Sequence, residues 1–212
     1  MSFIPDVSPG QVISSSTWGN LIRDQVITTV ATAASLSTVT APANGQHAYL
    51  QDTDMAVSHN GTSWVYGPGQ VVCRGNRSSS SGTTTSEVGV VRIQYNFQAG
   101  LYYTVYTSPL LMNSTAGDDY VFARLRYEVG GTPSTSSTIL ATVIGRTGLA
   151  QSAAPIITPI TFASDSTVGI LLSVGRYAGS GTVGLLANSS NPNIDLVVMS
   201  HTKDPGDTGI DI

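Results

Sequence analysis

The chain has 212 residues and a formal net charge of −4, with 9 Lys and Arg against 13 Asp and Glu. Only 10% of its residues are charged, against about 25% in an average soluble domain, whereas Ser and Thr supply about a quarter. So few cations exclude general nucleic-acid binding, and a hydrophobic content of 41% excludes disorder from self-repulsion.

The length, the cysteine count and the apolar runs also limit the possible architecture. This length corresponds to one mid-sized domain, or to a domain with a small appendage. A single cysteine, Cys73, excludes an intrachain disulfide framework and a thiolate metal cluster from one chain. No apolar run approaches the roughly 18 residues of a membrane span, and no signal peptide opens the chain. We therefore expect no membrane insertion.

Residues 1–40 are predicted to form an N-terminal helical segment for attachment or oligomerisation. Ser14, Ser15 or Ser16 can cap the helix. An apolar stripe follows at helical spacing, and it packs either on its own domain's core or against copies of itself, three or more in number. The β-branched run at 26–30 has strand propensity, which argues against helix in the second half. The residues predicted to mediate oligomerisation or attachment are Trp18, Leu21, Ile22, Val26 and Val30.

Residues 41–69 are predicted to form a small β-hairpin module. Short apolar runs at 48–50, 55–57 and 63–66 are separated by polar turns. The Asn60-Gly61 pair is a strong hairpin signal, because both residues tolerate positive φ. About thirty residues cannot hold an independent core, so we expect this module to pack on a neighbour or on another copy.

Residues 70–212 are predicted to form a jelly-roll-like antiparallel β-sandwich with a short C-terminal tail, so the fold class is mainly β. Many strand patterns without an intervening helix favour two packed sheets over a βαβ fold. The Ser-rich stretch at 78–82 is predicted to be a mobile loop tip. The strands are expected near 71–74, 84–97, 101–106, 120–127, 138–146, 156–162, 168–177, 182–186 and 194–201.

Nothing in the sequence points to catalysis. The glycine pattern at 179–184 matches a dinucleotide fingerprint, but no helix can follow it before Pro192, so we interpret it as a turn between strands. Glu87 is expected in a solvated strand, and Asp118 with Asp119 in a turn, so they share no cleft for acid–base chemistry. We predict a protein that is not an enzyme and has no catalytic residues or cofactor.

Metal binding is not indicated either. The three histidines are scattered, without a second histidine at ligand spacing. Asp52, Asp54 and His59 lie close in sequence, and we interpret them as part of a solvated loop. No metal is expected.

Aromatic side chains offer another route to function, because sugar rings stack on exposed aromatic faces. Alternation along one predicted strand places Tyr102 and Tyr106 on one face and Tyr103 on the opposite face. Trp64 belongs to the small module. Tyr102, Tyr106 and Trp64 are therefore the candidate glycan contacts, and the alternative for each is a place in the core.

Several patches, in their order along the chain, resemble a known family. Residues 8–14 (Ser-Pro-Gly-Gln-Val-Ile-Ser) with Trp18-Gly19-Asn20 and Arg23-Asp24 resemble the opening of many virion proteins from phages of actinobacteria. Residues 48–53 with 59–64 are similar to the short β module that follows there. Residues 97–102, 123–127 and 132–137 are similar to the β-sandwich of minor tail proteins and fibres of such phages.

The resemblance implies a non-enzymatic virion component, usually trimeric, whose N-terminal part attaches to the particle. The expected partners are copies of the chain and other virion proteins of the tail, baseplate or capsid, and the expected location is the virion, assembled in the host cytoplasm. A tail or baseplate appendage is the leading hypothesis. The alternatives are a capsid decoration protein or head fibre, and a receptor-binding module that recognises a host cell-wall glycan.

Overall fold

The computed structural model of the chain describes residues 27–147, 152–187 and 193–203. The chain divides into two compact units, Met1–Gln70 and Val71–Ile212. In the described part of the chain, no helix has the length and apolarity needed to cross a bilayer.

The first unit contains one four-stranded sheet with the order β1-β2-β3-β4. Its strands are β1 (Thr28–Val30), β2 (His47–Leu50), β3 (Met55–His59) and β4 (Trp64–Tyr66), and a short 3-10 helix, Ala33–Thr38, follows β1. The Asn60-Gly61 turn joins β3 to β4, as predicted. Asn60 Oδ1 accepts the N–H groups of Thr62 and Ser63 at 3.0 and 2.9 Å, and Gly61 has a φ of +94°.

The predicted helix is wrong at its C-terminal end. Thr28–Val30 form a strand that pairs in parallel with β2, because β-branched residues fit a pleated surface better than a helix. Val30 is buried in a cluster with Leu36, Leu50 and Val57, so its side chain is covered within its own unit. Trp18, Leu21, Ile22 and Val26 lie outside the described residues, and their predicted role stays a prediction.

The predicted boundary at residue 40 also needs correction. β1 and the 3-10 helix precede it, yet β1 belongs to the same sheet as β2, and Leu36 of the helix joins the same core as Leu50. The module of 41–69 therefore does not stand apart from the residues before it. The additional apolar surface that this small module needs for a core is supplied by the preceding residues of the same unit.

The second unit is an antiparallel β-sandwich, which confirms the predicted fold class. One layer has the strand order β10-β9-β13-β6; the other consists of the sheets β12-β7-β15-β5 and β11-β8-β14. Chain-consecutive strands such as β7 and β8 lie in the two sheets of the second layer. The strands are β5 (Val71–Arg77), β6 (Val88–Phe97), β7 (Leu101–Thr107), β8 (Leu110–Ser114), β9 (Asp119–Val129), β10 (Thr138–Thr147), β11 (Ser152–Ala154), β12 (Ile157–Thr161), β13 (Ser166–Ala178), β14 (Val183–Leu186) and β15 (Ile194–Lys203).

Two of these strands, β8 and β11, are not predicted from the sequence. β8 begins directly after Pro109, a residue that cannot donate a ladder hydrogen bond and reads as a break in the pattern. β11 has only three residues, Ser152–Ala154, too few to show a period. Both strands belong to the three-stranded sheet of the second layer.

The core of the sandwich lies between the two layers. Inward-facing side chains alternate with outward-facing ones, as in Leu101, Tyr103 and Val105 of β7, all buried. Phe97 is 1% exposed, and its ring contacts those of Tyr103 and Phe162, with centroids 4.8 and 5.1 Å away. An aromatic cluster thus fills one end of the core.

The Ser-rich stretch at 78–82 is not a free loop tip. Ser81 N–H donates to the Leu185 carbonyl at 2.9 Å, and Thr84 exchanges two backbone hydrogen bonds of 2.8 Å with Val183. Ser81 Oγ accepts the Leu185 N–H at 2.8 Å. The stretch is therefore tied to β14, since its hydroxyls and backbone groups supply the partners that an edge strand lacks.

Candidate interaction surfaces

The outer face of sheet β12-β7-β15-β5 exposes a group of apolar and aromatic side chains, which we call the tyrosine face. The strand registers place Tyr106 between Ile157 and Val197, and Thr104 beside Met199. Ile157 is 69% exposed and Val71 is 38% exposed; the two tyrosines and Met199 are half-buried. The face consists of Val71, Tyr102, Tyr106, Ile157 and Met199.

Tyr102 and Tyr106 share this face, while Tyr103 points into the core at 1% exposure, as the alternation predicts. Tyr102 lies edge-on to the His201 ring, with centroids 5.7 Å apart. His201 Nε2 is in turn 2.8 Å from the Thr104 hydroxyl. These contacts hold the Tyr102 ring in place on the sheet, so its exposed surface is preorganised for an apolar partner.

The tyrosine face carries little charge. Its one described ion pair joins Arg74 to Asp195, with Nη2 to Oδ1 at 2.9 Å. A face of this composition costs little to desolvate, because hydroxyls and apolar groups lose less than ions do on leaving water. The sequence predicts that Tyr102 and Tyr106 are exposed, but it does not single out Ile157 and Val71. Their outward positions depend on which residues pair across the sheet.

The outer face of the opposite layer, β10-β9-β13-β6, is covered by its own chain. The register aligns Arg126 with Leu171 and Arg124 with Ser173 on that face. The residues just before β6 lie over it, because a Cβ built on Gly175 would stand only 3.1 Å from the Glu87 Cα. The β9–β10 connection lies over it too, since a Cβ on Gly169 would clash with the Cδ of Pro133. Position 169 therefore requires glycine, because the Gly131 carbonyl oxygen would also stand only 2.9 Å from the added Cβ.

An ion cluster fixes this covering segment, and it corrects the prediction that Glu87 lies in a solvated strand. Arg126 binds Glu87 through two bonds, Nε to Oε1 at 2.6 Å and Nη2 to Oε2 at 2.8 Å. Arg124 Nη1 and the Ser173 hydroxyl add bonds of 2.9 and 2.6 Å. The third Arg126 nitrogen donates to the Ser137 carbonyl at 2.6 Å. Its side chain is 8% exposed and that of Glu87 13%.

Burial alone raises the pKa of Glu87, but the hydrogen bonds from Arg126 and Ser173 and the Arg126 charge outweigh it, so the pKa lies below its ordinary value. Arg124 contributes in the same direction. Its guanidinium lies 4.0 Å from the centroid of the Phe122 ring, a cation–π contact. The cluster therefore holds Glu87 ionised and joins one segment to two strands.

This arrangement predicts a loss of stability in acid. Because the folded-state pKa of Glu87 is lowered, its contribution is fully present above the unfolded value of 4.5 and is lost as the pH falls through the folded value. Urea unfolding between about pH 6 and about pH 3 should show this decline. Glu87→Gln should start from a lower stability and show a shallower decline. An equally steep decline in the variant would contradict the assignment.

Asp119 fixes the glycine-rich turn between β13 and β14. Its carboxylate accepts the N–H groups of Ser180 and Gly181 at 2.8 and 2.9 Å and a bond from the Ser114 hydroxyl. The Ser114 hydroxyl and the two backbone N–H groups lower the pKa of Asp119. The pattern at 179–184 is thus a turn between strands, as predicted, although Asp119 itself begins β9 and is buried.

The remaining sequence-predicted positions lie in the first unit. Trp64 is half-buried, packs against the core of that unit and lies edge-on to the His59 ring at 5.3 Å, so it is in part a core residue. Asp54 accepts a hydrogen bond of 2.7 Å from the Tyr49 hydroxyl. Across residues 27–147, 152–187 and 193–203, no three His, Cys, Asp or Glu side chains group into a metal site.

No family model matches the sequence, and neither does any curated protein. Solved β-sandwich structures are similar to the chain at low identity. A CBM4 domain has 8% identity and a TM-score of 0.30, over 60% of this chain and 94% of its own. The Eiger TNF of S. frugiperda has 13% identity and a TM-score of 0.28, over 68% and 100%.

The VP2 subviral particle protein of infectious bursal disease virus has 10% identity and a TM-score of 0.27, over 66% of this chain and 40% of its own. Sandwiches of carbohydrate-binding, cytokine-like and virus-particle proteins are thus all among the neighbours. At TM-scores this low, none of these likenesses carries an argument about function.

Proposed function

We propose that the chain is a non-enzymatic structural component of a phage virion, a homotrimeric tail or baseplate appendage that attaches through its N-terminal segment. The observation that carries the proposal is the tyrosine face, an exposed apolar surface on a folded sandwich. Exposed apolar groups gathered on one face mark an interaction site. The family resemblance of the sequence patches supplies the virion setting.

The proposal assigns the tyrosine face to the contact between copies of the chain. The opposite layer is the poorer choice, because the Glu87 segment and Pro133 cover its outer surface. Apolar side chains also stay exposed on that layer, but they lie on the edge strand β10 (Ile139 and Ile144) or at the ends of β9 and β13 (Tyr120, Val129 and Tyr177). Subunit contacts through an apolar sheet face with few ions are typical of oligomers.

A single substitution tests this assignment. Ile157→Asp places a charge at the most exposed apolar position of the tyrosine face, and we expect it to convert the oligomer to monomers, because a buried unpaired carboxylate opposes association. Light scattering of the purified full chain measures the change. The matched control is Tyr177→Asp on β13, which is 63% exposed and outside this face. An Ile157→Asp protein that keeps the wild-type oligomer would contradict the assignment.

Two alternatives remain as proposals. A capsid decoration protein or head fibre would use the same sandwich attached to another surface, and imaging of labelled particles separates it from a tail appendage. A receptor-binding module for a host cell-wall glycan is favoured by the shared exposure of Tyr102 and Tyr106, since sugar rings stack on aromatic faces. Binding to purified cell-wall saccharide, lost in Tyr102→Ala, is its expected signature.

A further inference from the structure

A polar groove lies along the β6–β13 edge of the sandwich, in the layer opposite the tyrosine face. It consists of two adjoining depressions of about 330 and 290 Å³ that share Asn96 and Thr167. Their volumes lie near the lower end of the range for small-molecule sites, about 300 Å³ and above. The lining residues are Gln94, Tyr95, Asn96, Phe97, Gln98, Asp165, Ser166 and Thr167.

Hydrogen bonds orient two of the polar groups in this groove. The Thr167 hydroxyl donates to Asn96 Oδ1 at 2.8 Å, which leaves the two N–H bonds of the Asn96 amide as donors. Asp165 Oδ1 accepts the Ala99 N–H at 2.7 Å, which leaves Oδ2 as an acceptor. Neither Asn96 Nδ2 nor Asp165 Oδ2 has a partner among the described residues. The groove therefore presents a fixed donor and a fixed acceptor.

The neighbouring lining residues extend this pattern. Gln94 and Asn96 are two residues apart on β6, so their amides lie on one face of the strand. The Tyr95 ring points to the other side of the strand, where it lies edge-on to Phe97 and Tyr103, with centroids 5.1 and 5.9 Å away. Neutral amides beside a carboxylate match the hydroxyl groups of a sugar, which both donate and accept hydrogen bonds.

The charge of the groove indicates which chemical class of ligand it can bind. No Lys or Arg lines it, and its one carboxylate repels anions, which excludes phosphate and sulfate esters. A single carboxylate among neutral amides is a poor site for a divalent cation, which prefers several charged oxygen ligands. We propose that this groove binds a neutral saccharide through Asn96 and Asp165. This inference goes beyond the virion proposal and does not depend on the oligomeric state.

The test is a titration of the full chain, labelled with ¹⁵N, with soluble trisaccharides of β-1,4-linked glucose, β-1,4-linked galactose, β-1,4-linked N-acetylglucosamine and α-1,4-linked glucose. We expect at least one to bind with a dissociation constant of about 1 mM or tighter. The expected shifts are in the Asn96 side-chain amide and the backbone amides of 94–98 and 165–167. Calorimetry supplies the affinities.

Variants locate the site. Asn96→Ala should weaken binding about tenfold, the effect of one lost hydrogen bond to the ligand. Asp165→Asn keeps an oxygen for the Ala99 N–H and should weaken binding while the fold is retained. Asn76→Ala, an exposed asparagine on β5, is the matched control and should bind like the wild type, as should Tyr102→Ala.

Two results would overturn the inference. One is the absence of binding by all four sugars. The other is binding that survives in Asn96→Ala and Asp165→Asn but is lost in Tyr102→Ala, which would place the sugar on the tyrosine face. Thermal unfolding of each variant checks that it is folded. Because these experiments measure ligand binding, a negative result does not affect the oligomer proposal, which is tested separately by light scattering.

Discussion

Arg126→Ala is expected to lower the free energy of unfolding by about 3–5 kcal/mol, the usual cost of removing one partner of a buried ion pair. The variant removes the two hydrogen bonds that Arg126 donates to the Glu87 carboxylate. It also leaves the Ser137 carbonyl without the hydrogen bond that Arg126 donates to it. Urea unfolding near neutral pH, followed by circular dichroism, measures the change.

The matched control is Arg74→Ala. Its ion pair with Asp195 is of the same type, but the Arg74 side chain is 52% exposed, and solvent screening limits such a pair to about 1 kcal/mol or less. If the two variants lost equal stability, the buried ion pair of Glu87 and Arg126 would contribute no more to folding than the exposed pair of Arg74 and Asp195.

Phe97→Ala is expected to cost about 3–5 kcal/mol as well, through lost burial and the cavity left in the core. Phe97 is 1% exposed, and three neighbouring rings contact its own. Those rings cannot all move inward, because Tyr103 is held by the hydrogen bond that its hydroxyl accepts from Gln98 N–H at 3.1 Å. Thermal and urea unfolding both report the loss.

Tyr177→Ala is the control for this variant. It removes a similar aromatic ring from a position that is 63% exposed, where a surface substitution changes stability by about 0.5 kcal/mol or less. A Phe97→Ala protein as stable as the Tyr177→Ala protein would show that the aromatic cluster adds little to the core.

Most of the sandwich is predictable because its strands carry a local signal. The alternation in Tyr102, Tyr103 and Tyr106 fixes which rings face outward, and this follows from the two-residue period of an extended chain. The Asn60-Gly61 turn is equally local. Strand β1 shows the limit: Val30 fits both a helical stripe and a strand, and its pairing with β2 decides between them.

The ion cluster and the groove could not be predicted in the same way. Glu87 and Arg126 are distant in sequence and meet only because β9 and β13 pair beneath the segment before β6. Likewise, Asn96 and Thr167 face each other through the register of β6 and β13. Contacts between residues on distant strands produce no periodic pattern in a single sequence. A charged residue such as Glu87 is therefore predicted to be exposed to solvent, where charged residues usually lie.

The mass of the purified full-length protein in solution, from sedimentation equilibrium, tests the central claim most directly. The account predicts a stable trimer of about 66 kDa, three times the 22.0 kDa chain, in which Val71, Tyr106 and Ile157 are shielded from solvent by a second subunit. A folded protein that sediments at 22.0 kDa across the full concentration range, with Ile157 still open to solvent, would contradict it.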